Sequence, residues 1–376
     1  MVKQVLILGA GYGSLSFLKA LPARVRKECA IRLISESSLH YFSVLLHDVL
    51  AGVEGQHTLE LSTILPPEVE FIQDRVLEVQ EGRVVGQEGV YPYDNLIVGL
   101  GFNSDSFGVQ GVEAHTHSLV NFTSAQATHE ALCNAIDAFQ ELRPFHVVVC
   151  GGGFSGVELL GALSDTLPSL CTSKDFKFTC IEALPNILPM FESKLVQKGV
   201  AYLQHLGVSL EVETKILECQ HDRVVVMQNQ ERKEILADFI LWTCGVRGNA
   251  VIESSPFFKS VRSRVEVNSY LEPVDMPQRG IFILGDCAAL KNSEGRLYPP
   301  TAQLASQMGT YLGRQWAHVL ANKSPSTPFR FQEKGIICSL GTRYAIGHVG
   351  IFHVSGKLGI WLKKYIEWRW KRSLLV

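Results

Sequence analysis

Short runs of apolar residues, each followed by a glycine-rich turn, are the first pattern along the chain. Residues 5–8 are all apolar, as expected for a strand that is buried on both faces of a sheet. A glycine-rich turn at 9–14 follows, and then an apolar helical pattern at 15–21. Residues 31–35 read as a second strand, which ends at Glu36. This order predicts a strand–turn–helix–strand unit at the N-terminus.

The same order of elements occurs a second time. Its predicted parts are a strand at 147–150, a turn at 151–156, a helix at 157–163, and a strand at 176–181 that ends at Glu182. This is the duplication of a supersecondary unit, not a short-period repeat. It predicts an α/β protein with two Rossmann-like dinucleotide-binding domains.

The rest of the chain contains a predicted domain border, a third buried strand and a long helix. A polar helical segment at 124–142, closed by Pro144, is the predicted border between the two domains. A third buried strand is predicted at 280–284, followed by a long helix at 301–320. A loop at 322–328 then leads into a small C-terminal region.

Composition narrows the class of protein. The 376 residues are 46% hydrophobic and 19% charged, which is typical of a globular protein of two or three domains and excludes a disordered one. The net charge of −2 gives no electrostatic case for nucleic acid as a partner. Nine cysteines without a Cys-x-x-Cys pair favour a reducing compartment over a disulfide framework or a metal site. The sequence predicts neither a transmembrane helix nor a signal peptide.

The first glycine turn carries a dinucleotide fingerprint. Gly9, Gly11 and Ser14 occupy the three positions of Gly-x-Gly-x-x-Gly, and Ser14 is small enough for close packing of strand and helix. Glu36 lies 25 residues past Gly11, where an acid can bind both ribose hydroxyls. A single such motif could be a turn without a ligand, but its recurrence argues against that interpretation.

The second turn repeats the fingerprint in full. Gly151, Gly153 and Gly156 fill its three positions, and Glu182 ends the following strand. Neither arginine nor lysine stands beside Glu182 in the sequence. A carboxylate without a neighbouring cation disfavours a 2′-phosphate, so NADH is predicted over NADPH.

Polar residues in the later part of the chain each have two interpretations. Asp286 follows a buried strand and could bind a ligand hydroxyl, or it could cap the next element. Gln303 and Gln307 share one helix face with the small Ala302 and Ala305 nearby, which would admit a flat ring. A solvent-facing glutamine pair is the alternative.

Two charged residues are ambiguous when considered alone. Glu158 stands on an otherwise apolar helix, so it is either exposed or buried near a cofactor. Lys334, taken by itself, reads as a surface lysine.

Several segments together resemble the type II NADH dehydrogenases, the single-chain NADH:quinone oxidoreductases. The resemblance covers nearly the whole chain, and the alanine–glutamine run at 302–307 is its strongest signature. The segment at 242–249 is also family-specific. The other matching segments are 9–13, 93–101, 151–158, 182–189 and 334–335.

The resemblance implies a mechanism and a set of site residues. Hydride passes from NADH to flavin N5, and two electrons then pass to a membrane quinone, menaquinone or ubiquinone, without proton pumping. The residues implied for FAD are Gly9, Gly11, Gly13, Ser14, Glu36, Gly101, Gly285, Asp286 and Ala302. Those implied for NADH are Gly151, Gly153, Gly156, Glu182 and Gly245. The implied catalytic residues are Glu158, Gln303, Gln307 and Lys334.

The implied fold is glutathione-reductase-like, with two Rossmann-like domains and a short C-terminal membrane-associating region. The FAD-binding domain is expected at 1–120 with 268–325, the NADH-binding domain at 121–267, and the C-terminal region at 326–376. The implied location is cytoplasmic, attached peripherally to the inner face of the cell membrane as part of a respiratory chain.

The tail at 357–376 is predicted to form an amphipathic helix. Six Lys and Arg against one Glu give it a charge of +5, and it holds three of the five tryptophans. One face carries Leu358, Trp361, Leu362, Tyr365 and Trp368, and another carries Lys363, Lys364, Glu367 and Lys371. This suits a helix in an anionic membrane interface. The alternative is packing on the protein's own core or on a partner subunit in a homodimer.

Departures from the family leave other functions open. The tail is shorter than in most relatives, and Val44 stands where many have proline. A sulfide:quinone oxidoreductase would need two redox cysteines near the flavin, and Cys338 has no clear partner because Cys150 reads as buried. A thioredoxin-reductase-like enzyme would need a Cys-x-x-Cys pair. A non-catalytic redox sensor stays open, whereas the two fingerprints disfavour a flavin-free membrane scaffold.

Overall fold

Two parallel β-sheets of five strands each form the centres of the molecule. The protein is described by a computed structural model over residues 2–375. Met1, the first residue of the expected FAD-binding domain, and Val376, the last residue of the expected C-terminal region, lie outside the described residues. The strand order of the first sheet is Ile281–Ile283, Asn95–Val98, Lys3–Leu8, Cys29–Ser35 and Val69–Gln73. That of the second is His117–Ser118, Phe239–Trp242, Phe145–Cys150, Phe176–Ile181 and Val208–Glu211. The two matching sheets are the structural form of the duplication seen in the sequence.

Long helices pack on these sheets through their apolar sides and form two main cores. The first sheet is covered by Tyr12–Ala20 and Ala302–Leu320, and the second by Phe122–Ala138, Phe154–Leu170 and Ser193–His205. The central strands of both sheets are fully buried, which explains why their sequences are continuous apolar runs.

Capping sets the helix boundaries that periodicity placed only roughly. The helix predicted at 15–21 begins three residues earlier, at Tyr12, because the extended Gly11 is its N-cap. The segment predicted at 124–142 forms the helix Phe122–Ala138. Asn121 starts it by accepting a hydrogen bond from the Ser124 N–H while the Ser124 hydroxyl accepts one from the Asn121 N–H, a reciprocal capping box.

The first and the long late helix touch almost backbone to backbone. A Cβ on Gly309 would overlap the carbonyl oxygen of Gly13, and a Cβ on Gly313 would lie 2.9 Å from the Cβ of Ala20. Residues nearly 300 positions apart therefore build one layer against the first sheet, in which Ser14 is fully buried.

Smaller sheets and short helices complete the fold. The three-stranded sheets are Val76–Gln80 with Arg83–Gly86 and Val90–Pro92, Lys215–Gln220 with Arg223–Gln228 and Glu231–Leu236, Ser260–Val261 with Arg264–Val267 and Ala288–Leu290, and Ile336–Ser339 with Ala345–Val349 and Phe352–Gly356. The two-stranded sheets are Leu39–Tyr41 with Thr58–Glu60 and Phe102–Ser104 with Val246–Gly248. The short helices are Ala23–Arg26, Leu46–Leu50, Leu61–Ile64, Val112–His115 and Ala250–Glu253, with 3₁₀ turns at Ser43–Leu45 and Gly285–Cys287.

The tail helix, Lys357–Leu374, packs on the sheet that precedes it, with Lys363 turned inward and Lys364 exposed. Lys363 is largely buried, whereas 63% of Trp361 and 51% of Trp368 are exposed. Packing on the protein itself, the alternative raised from the sequence, therefore occurs, and it uses the side of the helix that carries Lys363. Within residues 2–375, no helix is both long and apolar enough to cross a membrane.

Candidate active site

The first glycine turn forms an open cradle at the carboxyl end of the first sheet. Gly9 has φ +86°, and a Cβ there would overlap the carbonyl oxygen of Gly99, so glycine is required. Gly11 is the N-cap of the helix that begins at Tyr12 and includes Gly13 and Ser14. Free backbone N–H groups and the helix dipole at this end suit a pyrophosphate, so the turn fits a dinucleotide.

Groups from other elements of the first sheet lie beside this turn. Glu36 is exposed directly after the strand Cys29–Ser35, as the ribose-binding prediction requires. Gly101 has φ +76° and open space where a side chain would stand, and Gly285 has φ +62°. A Cβ on Gly285 would lie 3.2 Å from the Cβ of Ala305, which places the start of the helix Ala302–Leu320 against it.

Asp286 is the ionisable group at this end of the sheet. Burial raises the pKa of its carboxyl to about 6, although the nearby guanidinium of Arg264 lowers it. Burial, together with the charges of Asp286 and Glu36, raises the pKa of Tyr41 to about 12. A buried carboxylate that gains hydrogen bonds from ligand hydroxyls would recover its charge, so Asp286 fits the sugar-like chain of FAD.

The second glycine turn repeats this geometry at the second sheet. Gly151 has φ +108°, and a Cβ there would lie 2.9 Å from the Cys244 nitrogen. Gly153 is the N-cap of Phe154–Leu170, and a Cβ on Gly156 would overlap the Gly151 carbonyl oxygen. Close packing around the turn therefore requires glycine at Gly151 and Gly156.

Glu182 is fixed beside this second turn. Its Oε2 accepts a hydrogen bond from the Gly152 N–H at 2.7 Å, and its Oε1 accepts one from the Leu184 N–H at 2.8 Å. Gly245 lies on the neighbouring loop against the ring of Phe107, which a Cβ would approach to 2.6 Å. The carboxylate is held rigidly where a ribose would lie.

Glu158 is buried, and three other elements converge on its carboxylate. Lys363 of the tail helix donates from Nζ to Oε1 at 2.5 Å. The N–H and the hydroxyl of Ser339 donate to the same oxygen at 3.0 and 3.1 Å. His47, on the helix Leu46–Leu50, places Nδ1 3.6 Å from Oε2 and Nε2 3.4 Å from Asp48. We call Glu158, Lys363, Ser339, His47 and Asp48 the Glu158 cluster.

Pairing overrides burial in this cluster. Burial by itself would raise the pKa of Glu158, but the charges of Lys363 and His47 and the bonds from Lys363 and Ser339 hold it below its usual value. Burial would lower the pKa of Lys363, yet Glu158 and Glu367 raise it above normal. Burial dominates at His47, whose pKa is lowered. At neutral pH the pair is therefore carboxylate and ammonium beside a neutral imidazole.

Gln303 and Gln307 bind the backbone of one loop. Gln303 accepts a hydrogen bond from the Lys334 N–H at 2.9 Å and donates to the Gly335 carbonyl oxygen at 3.2 Å. Gln307 accepts from and donates to the backbone of Gln332 at 3.0 and 2.8 Å. Both amides are therefore occupied by loop 332–335, and both side chains are half-buried. The side chain of Lys334 itself is exposed.

Sequence reasoning missed the partners of Glu158. Lys363 was placed on the charged face of the tail helix without a partner, and His47 and Ser339 were not considered. One signal was available in the sequence: a tail with +5 charge requires acidic neighbours if it packs on the protein. Nothing in the local pattern indicates which acid Lys363 meets, 205 positions away.

Within residues 2–375 no disulfide is formed, and Cys150 and Cys219, which share one buried cluster, are both free. All nine are free thiols, and Cys150 and Cys338 are both fully buried. Burial raises the pKa of the Cys338 thiol well above its usual value, which disfavours the reactive thiolate. The cysteine chemistry of a sulfide:quinone oxidoreductase therefore has no support in this site.

Comparison with known proteins shows the family of the chain. The sequence profile of the pyridine nucleotide-disulphide oxidoreductases matches residues 3–309, and the chain belongs to that family. Within it, type II NADH:quinone oxidoreductases from Staphylococcus epidermidis and Staphylococcus aureus are each 33% identical, over 98% of this chain and 94% of their own length. The family predicted from the sequence motifs is confirmed.

Solved structures show the same fold. NDH2 from Plasmodium falciparum, determined in complex with NADH, superposes with a TM-score of 0.87 at 16% identity, covering 98% of this chain and 94% of that one. The sulfide:quinone oxidoreductase from Aquifex aeolicus superposes with 0.81 at 18% identity, covering 100% and 92%. The predicted two-unit fold is confirmed, whereas the choice between the two activities rests on sequence and site.

Proposed function

We propose that the chain is an FAD-dependent NADH:quinone oxidoreductase. The observation that carries the proposal is the presence of two separate dinucleotide cradles, each with an acid at the ribose position, in one chain. FAD supplies the chemistry that converts hydride transfer from NADH into two-electron reduction of the acceptor. The overall reaction of NADH, one proton and a quinone to NAD⁺ and a quinol consumes one proton from solution.

The first cradle is proposed to hold FAD. Gly9 and Gly11 admit the pyrophosphate to the backbone, and Glu36 accepts hydrogen bonds from the adenosine ribose. Asp286 accepts them from the flavin side chain. The remaining proposed FAD contacts are Gly13, Ser14, Gly101, Gly285 and Ala302, which supply close approach of backbone. This gives the FAD domain at 1–120 with 268–325.

The second cradle is proposed to bind NADH within 121–267. Gly151, Gly153 and Gly156 admit the pyrophosphate, and Glu182 binds the ribose hydroxyls. Gly245 leaves room on the adjoining loop. Because both oxygens of Glu182 are already fixed by backbone N–H groups, a 2′-phosphate would meet an immobile negative charge, which favours NADH over NADPH.

The acceptor end is proposed to lie at the start of the helix Ala302–Leu320. Gln303 and Gln307 act there as positioning residues, since they fix the loop that presents Lys334. Glu158 and Lys363 hold one exchangeable proton at Lys363 Nζ, bonded to the Glu158 carboxylate. That pair can return a proton to the acceptor side when the quinone is reduced.

The tail is proposed to attach the enzyme to the inner face of the cell membrane. Its outward rings, Trp361, Tyr365 and Trp368, stack in a row with centroids 5.7 and 5.9 Å apart. The exposed cations beside them are Lys357, Lys364, Arg369 and Arg372. An outward aromatic row flanked by cations matches an anionic lipid interface, where quinones dissolve.

Anaerobic stopped-flow absorbance in the visible flavin band tests the proposed activity. NADH should bleach the flavin, and a short-chain menaquinone or ubiquinone should restore it, while NADPH should bleach more slowly. Bleaching without recovery on adding quinone would contradict a quinone as acceptor. Bleaching by sulfide instead of NADH would favour the sulfide:quinone alternative.

Co-sedimentation with vesicles of phosphatidylcholine and phosphatidylglycerol tests the attachment. Binding should weaken with salt and fall in the variant Trp361→Ser. Leu142→Ser, which alters a fully exposed apolar residue away from the tail, is the matched control and should bind normally. If the parent protein is a dimer that does not bind vesicles, and Trp361→Ser dissociates it, the outward aromatic row would be assigned to contact with a second copy of the chain.

A further inference from the structure

The last two turns of the tail helix face the first glycine turn. Trp370 stacks on Tyr12 with centroids 5.0 Å apart and planes inclined by 28°. Tyr12 begins the helix that follows Gly9 and Gly11, so the indole lies against the cradle proposed for FAD. The tail thus carries aromatic rings on two sides: a row toward solvent and a single ring toward the site.

The place occupied by the indole has unused polar atoms. Among residues 2–375, Trp370 Nε1 and His40 Nε2 are both buried and find no hydrogen-bond partner. His40 Nδ1 lies 2.9 Å from the Ala10 carbonyl oxygen, so Nδ1 carries the hydrogen and Nε2 is a free acceptor. An unpartnered buried acceptor costs stability, so His40 Nε2, which would stay at the site when the indole leaves, points to a missing hydrogen-bond donor.

This contact lies beside the acceptor end. Tyr12 precedes Gly13, where a Cβ would stand 3.5 Å from the carbonyl oxygen of Ala305. Ala305 is on the first turns of the helix that carries Gln303 and Gln307. The face of Tyr12 that the indole covers therefore lies one residue away from the contact between the glycine turn and the glutamine helix.

Lys371 and Leu374 hold the end of the tail together with Trp370. Lys371 donates to the Gln56 carbonyl oxygen at 2.5 Å and lies over the Phe42 ring at 4.9 Å. Leu374 is buried in the core of the first sheet. The Lys363–Glu158 pair lies two turns earlier, so the last turns can move while that pair stays formed.

We propose that Trp370 is a lid residue that excludes the acceptor from the face of Tyr12 until the outward aromatic row of the tail docks on a bilayer. A quinone ring then replaces the indole on Tyr12, and the quinol hydroxyl donates to His40 Nε2. This inference rests on the proposed function. It predicts that binding to a membrane controls the access of acceptors to the face of Tyr12. The tail helix binds the membrane through its outward rings and covers Tyr12 through Trp370, which is on the opposite face.

Steady-state kinetics of the FAD-loaded full chain with a short-chain ubiquinone test the lid. Vesicles of phosphatidylcholine and phosphatidylglycerol should lower the KM for quinone in the parent protein. A lid that is closed about nine-tenths of the time raises the apparent KM about tenfold. Trp370→Ala should show the low KM without vesicles and no further decrease with them, at unchanged kcat.

Two variants separate the lid from general damage. Trp370→Phe keeps a stacked ring and should restore the parent behaviour. Trp368→Ala removes an outward ring two residues away and should keep the high KM without vesicles. A raised KM in Trp370→Ala would overturn the proposal, because it would make the indole part of the binding surface.

A second readout does not depend on turnover. Trypsin should cut after Lys371 faster in Trp370→Ala than in the parent protein, and Trp370→Phe should be protected again. If quinone fails as acceptor but this release is observed, the proposed function falls and the lid contact stands. If quinone turns over and Trp370→Ala matches the parent protein in both assays, the lid falls and the function stands.

Discussion

Replacing Lys363 by methionine should expose the cost of an unpaired Glu158. Methionine fills similar space but leaves the carboxylate with Ser339 and the neutral His47 as neighbours. The side chains of Lys363 and Glu158 are 13% and 10% exposed, so the pair is buried. Removing one partner of a buried pair costs about 3–5 kcal/mol. The two retained Ser339 bonds place the expected loss of unfolding free energy near the lower end, about 3 kcal/mol.

The loss should depend on pH in a defined direction. In the parent protein the pKa of Glu158 is lowered, so its contribution is present above the unfolded pKa of about 4.3 and is lost as pH falls through the folded pKa. In Lys363→Met burial is no longer offset, and the pKa of Glu158 rises. The destabilisation should therefore be larger at about pH 8 than at about pH 5, where the carboxyl takes up a proton.

Urea unfolding followed by tryptophan fluorescence measures this, because three of the five tryptophans lie in the tail. A double-mutant cycle with Glu158→Gln isolates the pair, and a coupling energy of about 2 kcal/mol is expected. Lys364→Met, which alters the exposed neighbour, is the control. Coupling below about 0.5 kcal/mol, or a loss that grows toward acid pH, would refute the reasoning.

Three other changes give separate tests. Gly156→Ala should lower NADH affinity at least about tenfold with FAD retained, because its Cβ overlaps the turn; flavin bleaching measures this, and Ser155→Ala should be neutral. Asp286→Asn should stabilise the FAD-free protein at about pH 8 by roughly 3 kcal/mol. The raised pKa of about 6 makes the parent protein lose stability as the pH rises from about 4 to about 6, and asparagine removes this loss. Equal urea unfolding curves for the two proteins would contradict this prediction. Gln307→Ala should free loop 332–335 and raise the quinone KM several-fold, and a changed NADH half-reaction would argue against that role.

The sequence predicted the parts of the fold that depend on local pattern. The strand that ends before Gly9 and the one that ends before Gly151 are buried on both faces, so their apolar runs are unambiguous. The glycines that follow have positive φ, +86° at Gly9 and +108° at Gly151, and such a turn favours glycine whatever packs on it. Short-range physics decides these features, and a single sequence contains it.

The Glu158 cluster lay beyond such prediction. The periodicity of the tail identifies two faces but not which one turns inward, because that choice depends on a carboxylate of another helix. A buried Lys363 is favourable only beside Glu158, and the two meet through tertiary packing. The glutamines were likewise assigned to one face correctly, while the loop that fills their amides could not be seen.

The close contact of the first helix with the helix Ala302–Leu320 fixes an order of events during synthesis. The second sheet is complete once the ribosome has passed Trp242, and its strands come from one continuous stretch. The first sheet lacks Ile281–Ile283 and its glycine-packed helix until about residue 320 has emerged. The N-terminal strands of the nascent chain therefore stay incomplete as a sheet while the second sheet folds. The chain can bind its flavin only as one of the last steps of its biogenesis.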